Sequence, residues 1–138
     1  MIEVGTQIPE RIFWVDCKLL KRYADASGDQ NPIHLDETFA INVGLPNVIA
    51  HGMLTMGLVG TFVSDWAGGS TNVKEFSARF TKPVIVPEGE KVDLTVNGSV
   101  AEVLIDGALQ LELTATSAGL KVLGMAKAVV VNNYFAEN

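Results

Sequence analysis

Residues 49–67 are apolar on nearly every side, interrupted by His51, by Gly52, Gly57 and Gly60, and by Thr55, Thr61, Ser64 and Asp65. Such a stretch reads as a helix buried by a sheet that wraps around it. Gly68-Gly69 stops it, and the spacing of Gly57 and Gly60 lets a strand or a ligand chain come close. The apolar run is longest around Met53 to Val63, too short and too interrupted to cross a bilayer. Ahead of this helix, residues 11–15 are rich in β-formers and follow Pro9. Asp16 then caps a helix running to about Ala26, with Leu19, Leu20, Tyr23 and Ala24 on one face and Lys18, Lys21 and Arg22 outside. Gly28 ends it. Asp36 caps a shorter helix ending near Gly44, and Pro46 separates that from the long one.

The second half changes period. Residues 73–86, 91–103, 108–117 and 120–131 read as four strands, joined by the turns Pro87-Glu88-Gly89, Asp106-Gly107 and Ala118-Gly119. One buried helix followed by a twisted antiparallel sheet is an α+β arrangement. No linker, repeat or low-complexity tract divides it, so residues 1–138 form a single domain, long enough to bury about 68% of its unfolded surface.

Composition sharpens this picture in two ways. The chain is 48% hydrophobic with only 19% charged residues, more apolar than a small domain needs for its own core. The surplus predicts a subunit interface or a lipid-like ligand. The net charge of −6 argues against nucleic acid, which wants a basic stripe. The single Cys17 excludes an internal disulfide and fits a reducing compartment. The opening Met1-Ile2-Glu3-Val4-Gly5 has neither the basic nor the apolar segment of a secretory leader, so the expectation is a cytoplasmic protein with no membrane attachment.

The chemistry is concentrated in Ser27-Gly28-Asp29-Gln30-Asn31-Pro32-Ile33-His34 and in Ala50-His51-Gly52-Met53-Leu54. Gly28 loosens the backbone, Pro32 fixes its own φ, and it pushes Asn31 away from helical geometry. A stiff loop therefore holds the carboxylate of Asp29 near the imidazole of His34. Gly52 lies where the long helix opens, and a free N–H there suits an oxygen that becomes negative during reaction. An acid/base pair with such a donor is equipment for moving a proton next to a carbonyl. Alone, Asp29 is ordinary turn material and His34 a structural histidine; their pairing ahead of the His-Gly helix start points to catalysis. Asn31 ties the loop to itself, and His51 shapes the helix start, so both support the site. Asp29, His34 and His51 lack the short ligand spacing of a zinc centre, so no metal is expected. Arg79 and Lys82 flank Phe80 before Pro83, as a solvated edge or as a grip on a phosphate.

The run from Tyr23 to His34 resembles the hydratase motif of the MaoC-like, (R)-specific enoyl-thioester hydratases and dehydratases. Ile49-Ala50-His51-Gly52-Met53 resembles the companion signature opening their central helix. Within that family the likeness is nearest to the beta subunit of the (3R)-hydroxyacyl-ACP dehydratase of the mycolic-acid pathway. The resemblance covers most of the chain, from Val4-Gly5 to the last strand. It implies a hotdog fold and reversible dehydration of (3R)-3-hydroxyacyl thioesters to trans-2-enoyl thioesters, on coenzyme A or acyl-carrier-protein, without a cofactor. Asp29 and His34 become the catalytic pair, and the N–H of Gly52 the donor to the thioester oxygen. It also implies edge-to-edge pairing, as a homodimer or with a related hotdog chain. Many members carry a small hydroxyl residue one or two turns into the helix that props the aspartate; here the matching region reads Leu58-Val59-Gly60-Thr61. The rival readings are a hotdog thioesterase and a non-catalytic acyl-binding subunit. The Asp29–His34 loop speaks against both.

Overall fold

A computed structural model describes residues 2–132. In chain order the elements are β1 (Gln7–Val15), α1 (Cys17–Ser27), a 3-10 turn (Pro32–His34), α2 (Glu37–Asn42), α3 (Gly52–Trp66), a second 3-10 turn (Ser70–Asn72), β2 (Val73–Phe80), β3 (Val92–Val103), β4 (Leu109–Ser117), β5 (Leu120–Lys121) and β6 (Leu123–Val130). The sheet is antiparallel throughout, in the order β1-β3-β4-β6-β2, with the short β5 paired to β4. It curls around α3, the arrangement the resemblance implies.

The helices begin where the sequence puts their caps. Asp16 accepts a hydrogen bond from the N–H of Leu19, and Asp36 accepts one from that of Phe39. Over residues 94–100 of β3 and all of β4 burial alternates, so one sheet face carries Leu94, Val96, Leu109 and Leu111, all fully buried. Val59, Phe62 and Val63 of α3 fill the hollow beneath them.

Several strand and helix ends depart from the sequence expectation. The run 73–86 is not one strand. β2 stops at Phe80, and residues 84–86 turn away to pair with 48–50: the N–H of Ala50 donates to the carbonyl of Val84, and that of Val86 to Val48. Pro83 lacks the N–H that a continuing ladder would need. For the same reason α3 starts at Gly52 rather than at Ile49, since residues 48–50 are held extended. The last run splits as well: Val122 leaves the ladder between β5 and β6 and binds Ala115 and Thr81 instead. β1 begins at Gln7 and carries Pro9 within it. It is an edge strand whose register shifts between Ile8 and Arg11, which accommodates a residue without a donor.

The helix is covered on one side rather than all round. Leu54, Thr55, Val59, Phe62 and Val63 are buried, while Gly52, Met53, Gly57, Thr61 and Asp65 are open. The close approaches fall at two glycines of the same helix. A Cβ on Gly60 would lie 3.2 Å from the Phe76 ring, and one on Gly52 would lie 3.2 Å from the Phe80 ring. Gly57 faces open space. Strand β2 thus runs along the helix, with one aromatic ring laid on each glycine.

Gly98 on β3 shows how closely the sheet meets this helix. A Cβ there would stand 3.0 Å from both Ile8 Cδ1 and Leu113 Cδ2 and 3.3 Å from the Phe62 ring. Gly98→Val is expected to destabilise the fold by about 1–3 kcal/mol through overpacking. Urea denaturation checks this, and an unchanged midpoint would contradict the packing described.

Candidate active site

Three short segments build the site. The first is the end of α1, where Gly28 adopts φ +83° and its N–H bonds Ala24; a residue with a Cβ would be strained there. The second is the loop that follows, held by its own side chains. The N–H of Asn31 donates to Asp29 Oδ1 at 3.2 Å, and that of Ile33 donates to Asn31 Oδ1 at 3.2 Å. These successive Asx turns keep the loop ordered without a regular ladder. Asn31 also caps the 3-10 turn that presents His34. The third segment is residues 49–52, tied to the loop by the bond from Ile49 N–H to the carbonyl of Ile33.

His34 is buried, and its Nδ1 lies 2.7 Å from the carbonyl oxygen of Ile49. A carbonyl only accepts, so Nδ1 carries the proton and the neutral ring keeps its lone pair on Nε2. His51, 2% exposed, makes its bond through Nε2, which donates to the backbone carbonyl of Asp29 at 3.1 Å. Its Nδ1 is sealed with no partner among the described residues. The two imidazoles stack, centroids 3.9 Å apart and planes 24° from parallel, and the Tyr23 ring lies tilted by 60° against His51, with centroids 4.8 Å apart. Burial holds the His51 pKa below its ordinary 6.5, with the neighbouring His34 adding to the fall and the bond to Asp29 opposing it. His51 is therefore a neutral spacer. It fixes the backbone of Asp29 with one edge and the ring of His34 with its face.

The carboxylate of Asp29 is exposed, and one nitrogen each of His34 and His51 lies with it inside a span of 4.8 Å. Proximity of this kind invites a metal reading, but ring geometry opposes it. Imidazole lone pairs lie in the ring plane, and two planes only 24° apart, stacked face to face, do not converge on an ion about 2.0–2.1 Å from both nitrogens. The arrangement suits proton transfer.

Gly52 is the first residue of α3, and among the described residues nothing accepts from its N–H. It opens on a cleft of about 200 Å³ whose walls include His34, Ile49, Gly52, Thr55, Phe80 and Lys82. A larger hollow of about 520 Å³, between Cys17 and the 88–91 turn, contains no acid/base pair with histidine and lies away from this chemistry. Of the five residues expected from sequence, His34 and Gly52 line the cleft; Asp29 and His51 lie beside His34, within the 4.8 Å span, and Asn31 acts through the loop it caps. Lys82 reaches the cleft, whereas Arg79 does not line it. Thr61, in the stretch where a hydroxyl prop was sought, turns outward and bonds the carbonyl of Gly57. The cleft instead contains Thr55, which sequence reasoning passed over. Its position three residues after Gly52 on a helix, hence on the same face, was the available signal.

The MaoC like domain matches residues 14–117. The chain belongs to the MaoC-like family. Among its relatives is 3-hydroxyacyl-thioester dehydratase Y of Mycobacterium tuberculosis, 45% identical over 65 residues, a match covering 45% of this chain and 22% of that protein. A solved MaoC-like dehydratase superposes with a TM-score of 0.90 at 37% identity, over 94% of this chain and 40% of the other. The unliganded R-hydratase PhaJ1 from Pseudomonas aeruginosa gives a TM-score of 0.80 at 29% identity, over 94% and 81%. The MaoC-like chain thus spans under a third of the first curated relatives it matches, 22% and 27% of their lengths.

The neutral, buried state of His51 makes stability pH-dependent. The unfolded chain protonates this histidine below about 6.5 and the folded one resists. Below that pH the unfolded state therefore binds more protons, and stability falls as pH drops. Denaturant midpoints measured from pH 7 down to about 5.5 should decline in the native chain and decline less in His51→Gln, which keeps a donor for Asp29 and does not titrate. Equal slopes in the two proteins would contradict the role given to His51.

Proposed function

We propose that this MaoC-like chain interconverts (3R)-3-hydroxyacyl thioesters and trans-2-enoyl thioesters in fatty-acid metabolism. The observation that carries the proposal is the tautomer of His34: the Ile49 carbonyl occupies Nδ1 and leaves Nε2 as a base, beside the Asp29 carboxylate and the unpartnered N–H of Gly52. A relative named as a 3-hydroxyacyl-thioester dehydratase and a neighbour named as an R-hydratase support it.

In the dehydration direction His34 Nε2 takes a proton from C2, and the electron pair moves toward the thioester oxygen. Gly52 N–H and the positive end of α3 stabilise that developing charge, a contribution of about 3–4 kcal/mol where one such donor acts. As the thioester carbonyl reforms, the C3–O bond breaks, and the proton taken by His34 passes by way of the Asp29 carboxylate to the departing hydroxyl, which leaves as water and returns both groups to their starting state. Hydration reverses each step. Every group this requires belongs to the chain or the substrate, and no step needs a metal or cofactor. A hotdog thioesterase has no use for a base aimed at C2, and a mere acyl-binding subunit has no use for the pair.

The partner reading belongs to the same proposal. Strands β1 and β2 are the two sheet edges, and the outer side of β2 meets no other strand among the described residues. Phe80, the last residue of β2, lines the cleft and is more than half exposed, as is Met53, the neighbour of Gly52 on α3. A second hotdog unit, identical or related, would cover them and complete the acyl pocket, with coenzyme A or acyl-carrier-protein presenting the thioester. Among the described residues no helix is long and apolar enough to cross a membrane. A cytoplasmic site of action fits the single Cys17.

With crotonyl-CoA as substrate, Asp29→Asn and His34→Ala should each lower kcat/KM for hydration by at least about 10²-fold, and the double variant should be little worse than either. Near-normal turnover in either folded single variant would contradict the assignment. Light scattering of the purified chain should show a dimer of the 14.8 kDa unit. A stable, active monomer would remove the interface from the proposal.

A further inference from the structure

Helix α3 carries three hydroxyl side chains, Thr55, Thr61 and Ser64. Thr61 donates to the carbonyl of Gly57 at 3.0 Å, and Ser64 to that of Thr61 at 3.2 Å, the usual back-bonds of a hydroxyl in a helix. Thr55 makes no such bond. It is only 5% exposed, yet its oxygen is not among the sealed polar atoms that lack a partner. The hydroxyl therefore meets solvent through the cleft that Thr55 lines with His34 and Gly52. A buried hydroxyl without an internal partner is costly unless something in the cleft completes it.

Helix geometry says what it faces. Side chains lean toward the helix N-terminus, so the side chain of residue 55 lies over the turn that contains Gly52, which has no side chain to cover it. Thr55 and Gly52 thus share one end of the cleft, which the Phe80 ring beside Gly52 also lines. We propose that Thr55 is a second hydrogen-bond donor to the thioester oxygen, beside Gly52. The inference rests on the dehydratase reading and deepens it. Thr55 keeps its proton throughout: it donates a hydrogen bond that strengthens as charge builds on the oxygen and relaxes when the carbonyl reforms. This divides the site cleanly. Asp29 and His34 handle protons, while Gly52 and Thr55 hold the oxygen that takes the electron pair. It also explains why the hydroxyl at 61 is free to bond its own helix.

The test pairs Thr55→Val, which keeps the shape and loses the hydroxyl, with Thr55→Ser, which keeps the hydroxyl. In crotonyl-CoA hydration, Thr55→Val should lower kcat about 10–10²-fold with little change in KM, because the bond matters most in the transition state. Thr55→Ser should keep most of the rate. A second readout does not depend on turnover. Carbonyl-labelled crotonyl-CoA bound to the Asp29→Asn protein should show a thioester stretch at lower frequency than when bound to the protein carrying both Asp29→Asn and Thr55→Val. Full activity in Thr55→Val, or a slow Thr55→Val whose carbonyl frequency is unmoved, would overturn the assignment while leaving the dehydratase reading intact. A native protein that neither hydrates nor binds crotonyl-CoA would overturn the dehydratase reading and this inference with it.

Discussion

The site depends on one hydrogen bond, from His34 Nδ1 to the carbonyl of Ile49. It fixes the tautomer of the base, and it does so with a backbone atom whose own position is set by the sheet. Ile49 sits in the extended segment 48–50, which is clamped on one side by residues 84–86 and on the other by the carbonyl of Ile33. The strand end at Phe80, the excursion through Pro83 and the late start of α3 are thus parts of one arrangement. Had β2 run on to Val86 in the sheet, residues 48–50 would have lost the partner that keeps the Ile49 carbonyl aimed at the imidazole.

His51 serves the same end by a different route. Burial lowers its pKa, so it holds Asp29 by a backbone bond and supports His34 by stacking as a neutral ring. Gly52 follows immediately where the helix opens with a free N–H, and a Cβ there would press on the Phe80 ring at 3.2 Å. Two neighbouring residues thus serve one site: His51 backs the ring of His34, and Gly52 lines the cleft.

Much of this was legible in the sequence because it is written in local chemistry. Asp16, Asp36 and Gly28 have cap and stop roles that need no knowledge of the tertiary fold, and each stands where expected. The Asp29–His34 loop and the His51-Gly52 opening were likewise recognisable, since Pro32 and two Asx turns determine that loop from within. What was missed depends on partners distant in sequence. The apolar run through 73–86 has strand composition throughout, and only its pairing with 48–50 decides where the sheet releases it. Gly57 and Gly60 were equivalent on paper, and the rings of Phe76 and Phe80 chose Gly60 and Gly52. Thr55 interrupts the apolar run but received no site role, because an isolated threonine in an apolar helix normally bonds the turn before it, as Thr61 does.

The central claim is that this site moves a proton at C2 and water at C3 of a thioester while leaving the thioester bond whole. The most direct measurement is product analysis after incubation of the purified protein with crotonyl-CoA in heavy water. The account predicts (3R)-3-hydroxybutanoyl-CoA carrying one deuterium at C2, with no release of free coenzyme A. Free thiol without a hydroxylated product, or a product of the opposite configuration at C3, would contradict it.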